Sequence, residues 1–142
     1  MAGILTALLS GALMSIQGVF NTEVTKQTST WLAAGWVQIS AFAVCLAAWC
    51  ITGREPIGDL FRVKPWYLLL GGAIGAFITI TVIWSMAGLG PAKAMLIVIS
   101  QLAAAWLIEL FGLFGMEKTD FTVRKLLGMA VAVVGIVVFQ WE

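Results

Sequence analysis

A chain of 142 residues that is 61% hydrophobic and 11% charged, with mean hydropathy +1.03, lacks the balance of a water-soluble domain. Its net charge of +1 says little by itself; no nucleic-acid partner is expected, and without histidine there is no histidine-based metal cluster. It also has no phosphate-cradling glycine loop and no nucleophile elbow, so neither a cofactor, a metal nor an enzymatic activity is expected.

Four short polar breaks divide the sequence into five apolar stretches, 2–24, 31–51, 66–89, 91–114 and 123–141. Each is close to the roughly 20 helical residues that cross a hydrocarbon core. The expected fold is all-α: a polytopic membrane protein whose single domain has five transmembrane helices and which meets the lipid bilayer on most of its surface. The first stretch lacks the positive n-region of a signal peptide and runs too long for a removable h-region, so it is read as a helix of the mature protein. It also concentrates polarity. Thr6, Ser10, Gln17 and Asn21 fall within about 60° of one another around a helix, Met14 joins the stripe, and Ser15 points elsewhere. A polar group in hydrocarbon must find a partner or face water. The stripe is either an interhelical hydrogen-bond seam or the wall of a cavity, and its two amides leave many donors and acceptors to satisfy.

In the second stretch Gln38 aligns with Phe42, Cys45 and Trp49. Cys45 and Cys50 point about 140° apart, so they cannot pair with each other and are read as free packing residues. The long break 52–65 is punctuated by Gly53, Pro56 and Gly58. Gly72, Gly75 and Thr79 share one face of the third stretch, where another helix can approach closely. The break at 88–91 is barely a turn, with Pro91 at a natural first-turn position, so stretches three and four are expected to form an antiparallel hairpin. Gln101 lies near mid-membrane beside Ala94, Ala105 and Gly112, which suits a pocket wall and a bond to another helix equally. Glu109 is the only carboxylate well inside a stretch, about one turn from its end. It is either a proton carrier or the ion-pair partner of a nearby base. Trp84 and Trp106 lie deep enough to stack on a flat or cationic solute, or else they pack against protein and lipid. Thr119 and Asp120 are candidate caps for the last helix.

The basic residues are unevenly placed. The face that holds the N-terminus carries Arg54, Arg62, Lys64, Lys118, Arg124 and Lys125, whereas the other carries Lys26 and Lys93. Lysine and arginine in short loops set orientation. Six against two puts the N-terminus in the cytoplasm and the C-terminus outside. Trp31, Trp49, Trp66, Tyr67 and Trp141 fall at or near the ends of stretches, where amphipathic rings prefer the headgroup level.

The run Ser15-Ile16-Gln17-Gly18-Val19-Phe20-Asn21 resembles a Leu-Gln-Gly-x-x-Asn signature of helix one in the small, YdcZ-like, single-domain branch of the drug/metabolite transporter superfamily. Leu70-Gly71-Gly72-Ala73-Ile74-Gly75-Ala76-Phe77 resembles that branch's helix-three opening. Its helix-four pattern is matched by Gly88-Leu89-Gly90, Ser100-Gln101-Leu102 and Glu109-Leu110-Phe111-Gly112-Leu113-Phe114-Gly115. Leu127-Gly128 to Gly135-Ile136-Val137-Val138 is similar to its last helix, so the resemblance covers essentially the whole chain. It implies a five-helix half-transporter: half of a ten-helix inverted-repeat architecture, completed by antiparallel pairing with a second copy or a related chain. Small multidrug resistance transporters are similar in logic, but they use a central glutamate in helix one where this sequence has Gln17.

The leading expectation is a transporter subunit that moves a small-molecule solute by alternating access. Its substrate region would include Gln17, Asn21, Gln101, Ser10 and Met14, with Glu109 as a possible ion- or proton-coupling group and Trp84 and Trp106 as a possible aromatic pocket. The rival expectations are a non-transporting membrane scaffold or accessory subunit, and a proton-coupled cation exporter of the small-multidrug-resistance kind. A dual-topology homodimer needs its basic residues nearly balanced between faces, so the six-to-two bias favours a heterodimer with an oppositely oriented relative.

Overall fold

The computed structural model describes residues 2–141 and is helical throughout its ordered elements. Two compact units divide the chain between Gly88 and Leu89. Four segments are long and apolar enough to cross a membrane: Ala2–Gln27, Thr30–Thr52, Trp66–Leu89 and Pro91–Phe111. The last helix, Val123–Phe139, has 17 residues and is shorter than these.

In the first unit, α1 (Ala2–Gln27) and α2 (Thr30–Thr52) are joined by a two-residue turn. Backbone groups freed at the end of a helix need other partners, and lipid supplies none. The Thr28 hydroxyl meets part of that need by donating to the Val24 carbonyl at 2.8 Å. The hydroxyls of Thr22 and Thr25 instead bond back to the carbonyls of Gly18 and Asn21 within the helix, each at 2.8 Å. Ser29 then caps α2 by accepting the Leu32 N–H at 3.2 Å. At the far end of α2 the Trp49 indole N–H donates to the Glu55 carbonyl at 3.1 Å, which ties the loop to the helix.

A 3-10 segment, Trp66–Leu70, leads into α3 (Gly71–Leu89). The core of this unit is small and specific. It consists of Gly18 and Thr22 of α1, Ala33 and Ala34 of α2, and Ile80, Ile83 and Met86 of α3. A Cβ built on Gly18 would lie 2.5 Å from the Met86 Cε and 2.7 Å from its Sδ, so the absent side chain is what lets α1 and α3 meet there. Gln38 connects α2 to α3 by donating from Nε2 to the Thr79 hydroxyl at 3.4 Å, and that hydroxyl donates to the Gly75 carbonyl.

In the second unit, Gly90 adopts φ +80° and Pro91 opens α4 (Pro91–Ala94). Met95 separates it from α5 (Leu96–Phe111), and α6 (Val123–Phe139) follows. The sequence predicts that the fourth helix runs to residue 114, whereas it stops at Phe111. Gly112 is the reason. It is left-handed at φ 63°, ψ 38°, and its N–H turns back to the carbonyls of Ile108 and Glu109. The Thr119 N–H also reaches the Glu109 carbonyl, at 2.9 Å. Thr119 is thereby engaged at the end of α5, and the position before α6 falls to Thr122 rather than Thr119 or Asp120, with no side chain bonding to the first N–H groups of the helix. Ala94 is fully buried, and Gln140 Nε2 donates to the Lys93 carbonyl at 3.4 Å.

Candidate solute groove and ion-pair pocket

The periodicity of α1 gathers its polar side chains along one edge of a groove shared with α2. Thr6, Ser10, Met14, Gln17 and Asn21 line it from α1, and Trp36, Ser40 and Cys45 line it from α2. Its volume is about 870 Å³, within the range of small-molecule sites. The stripe expected from sequence is therefore brought together, with a second wall that the sequence reading missed. Trp36, Ser40 and Val44, with Val37, Ala41 and Cys45, recur every four residues. That recurrence could have marked the wall. Gln38, the most polar side chain of α2, does not line the groove, and its amide is used in the seam with α3.

The polar groups along the groove are not equivalent. The Thr6 hydroxyl donates to carbonyls of its own helix, at Ala2 and Gly3, and Ser40 likewise donates to the Val37 carbonyl. Among the described residues, the side-chain amides of Gln17 and Asn21 make no hydrogen bond. A primary amide carries two donors and an acceptor with two lone pairs. Left unmet in hydrocarbon, these are costly. A groove wall that presents two such amides is suited to holding water or a hydrogen-bonding solute.

In the second unit, Glu109, Trp106 and Lys125 line a pocket of about 330 Å³ between α5 and α6. Lys125 Nζ lies 3.2 Å from Glu109 Oε2 and donates to the Thr119 hydroxyl at 3.5 Å. Glu109 thus has the ion-pair partner that was one of its two sequence readings. The Trp106 ring packs against Phe121 with centroids 5.7 Å apart, and its indole N–H is buried without an acceptor among the described residues. Gln101 is exposed on α5 and lines neither this pocket nor the groove. Trp84, 58% exposed on α3, also lines neither.

The model of the family described as "Putative inner membrane exporter, YdcZ" matches residues 2–138. The chain belongs to the YdcZ family. Neither the curated proteins nor the solved structures contain a significant match to it. Membership makes the chain a multi-pass protein of the inner membrane and places it among transport proteins. The Gln17-Gly18-Val19-Phe20-Asn21 run that resembles the YdcZ signature has two structural duties. Gln17 and Asn21 face the groove, while Gly18, turned away from them, admits Met86 of α3. One short motif therefore carries both the polar wall and the close packing that holds the helix behind it.

Proposed function

We propose that this YdcZ-family chain is one subunit of an antiparallel two-chain exporter that moves a small solute by alternating access along the α1–α2 groove. Five helices cross the membrane in this reading, with α6 as the shortest span. Its 17 residues fall at the lower end of the roughly 17–25 that suffice. The N-terminus is cytoplasmic, and the partner is a related chain of opposite orientation. Together the two form a ten-helix inverted pair with the solute path near the midplane.

The observation that carries this reading is the pair of unspent amides, Gln17 and Asn21, on the wall of a groove large enough for a metabolite. A scaffold would use such groups in contacts between helices, as Gln38 and Thr79 are used. Gln101, exposed on α5, is available to the partner chain. Glu109, already paired with Lys125, serves to fix the end of α5.

The test is untargeted analysis of the medium from cells overproducing the chain with its partner. At least one small solute accumulates outside relative to cells carrying an empty vector, and Gln17→Leu abolishes that accumulation with the protein still present in the membrane at wild-type level. An unchanged medium, or accumulation that survives Gln17→Leu and Asn21→Leu alike, contradicts the proposal.

A further inference from the structure

Charge is distributed through this protein in a way that restricts what the groove can accept. None of the side chains that line it is acidic or basic. The charged residues within the helices stay near helix ends, and most of those are paired. Glu23 and Lys26 bond to each other in the last turns of α1. Lys93 stands within three residues of the Gly90 break, and Arg124 and Lys125 lie in the first turn of α6. Glu109, in the last turn of α5, is matched by Lys125 at 3.2 Å. The α1–α2 groove therefore offers neither a free carboxylate to balance a cation nor a free ammonium to balance an anion beside Gln17.

A charged solute entering the hydrocarbon region loses its hydration and needs a counter-charge to replace it. Amides do not supply one. Gln17 and Asn21 supply paired donor and acceptor groups, which match a neutral amide, hydroxyl or carbonyl. Around them Trp36, Met14, Phe20 and Leu13 offer aromatic and polarizable apolar surface.

Resting on the reading of the groove as the solute path, we infer that its substrate is an electroneutral molecule with an apolar or aromatic body and a hydrogen-bonding head. The Gln17 and Asn21 amides hold the head. The groove's own lining supplies no counter-charge to an ion of either sign.

Cys45 provides a native reporter, because it lines the groove and Cys50 does not. In Cys50→Ser protein purified together with its partner chain and reconstituted in lipid, the rate of Cys45 alkylation by a small water-soluble maleimide is measured with matched triplets of probes. One triplet is indole-3-acetamide, indole-3-acetate and tryptamine; the other is phenylacetamide, phenylacetate and phenethylamine. In at least one triplet the neutral amide is expected to slow labelling by about fivefold at a few times its Kd, the factor given by 1 + [L]/Kd. The anion and the cation of that triplet are expected to leave the rate unchanged, and Gln17→Leu to remove the protection. Protection by a charged member equal to that of its neutral partner overturns the inference, as does protection by none of the six. A Cys45 that does not react at all overturns instead the reading on which the inference rests, since the groove is then filled by lipid or by another helix.

Discussion

At the residue scale, Gly18 and Gln17 show how neighbouring positions on one helix divide close packing from lining the groove. Gly18 faces Met86, whose terminal methyl occupies the place a side chain would take. Because the obstructing atoms are the flexible end of a methionine, Gly18→Ala is expected to be accommodated by a shift of Met86. Gly18→Leu has no such remedy and should cost about 1–3 kcal/mol, the usual range for overpacking. Unfolding of both variants in the same detergent checks this; equal destabilisation by alanine and leucine would contradict the close approach of α1 and α3. Gly112 differs in kind. Its left-handed φ of 63° and the Lys118 Cβ 3.3 Å from a built Cβ both oppose a side chain. Gly112→Ala should therefore destabilise the second unit by about 1–2 kcal/mol, read as lost protection of the Thr119 amide in hydrogen exchange.

At the element scale, the ends of helices were less legible than their existence. The apolar runs and polar breaks foretold α1, α2, the Trp66–Leu89 segment and the start at Pro91 to within a few residues. Composition carried that signal, because few segments other than membrane helices are so uniformly apolar. The end of α5 was misplaced by three residues, since Leu113 and Phe114 are as apolar as the helix before them and conceal the turn at Gly112. Helical periodicity exposed the Gln17–Asn21 face but gave no indication of which helix stands across from it. That depends on packing, which also fixed the use of Gln38 and the choice of Lys125 for Glu109. The Glu109–Lys125 pair is partly open, with side-chain exposures of 43% and 44%. Solvent screening limits such a pair, so a double-mutant cycle with Glu109→Gln and Lys125→Met should give a coupling of no more than about 1 kcal/mol. A coupling several times larger would show that the pair is sequestered in the assembled protein.

At the scale of the whole molecule, a groove walled by two helices encloses a path only when something closes its open side. Phe20 and Trp36, which line the groove, remain mostly exposed along that side. The bias of six basic residues to two predicts that a reporter fused to the C-terminus gives signal only from outside the cell. Equal signal from both sides would remove the case for a separate, oppositely oriented partner and leave a dual-topology homodimer in its place. The central claim, however, is that the α1 stripe faces water rather than lipid or another helix. It is tested by single cysteines at Ser10, Gln17 and Asn21 in a Cys45→Ser, Cys50→Ser background. Leu8 and Ala12 serve as controls on α1 that do not line the groove. Membrane vesicles are treated with a water-soluble maleimide, and labelling rates are compared. Rapid labelling at the three groove positions, with Leu8→Cys and Ala12→Cys inert, is the predicted result; five uniformly inert positions would contradict the account.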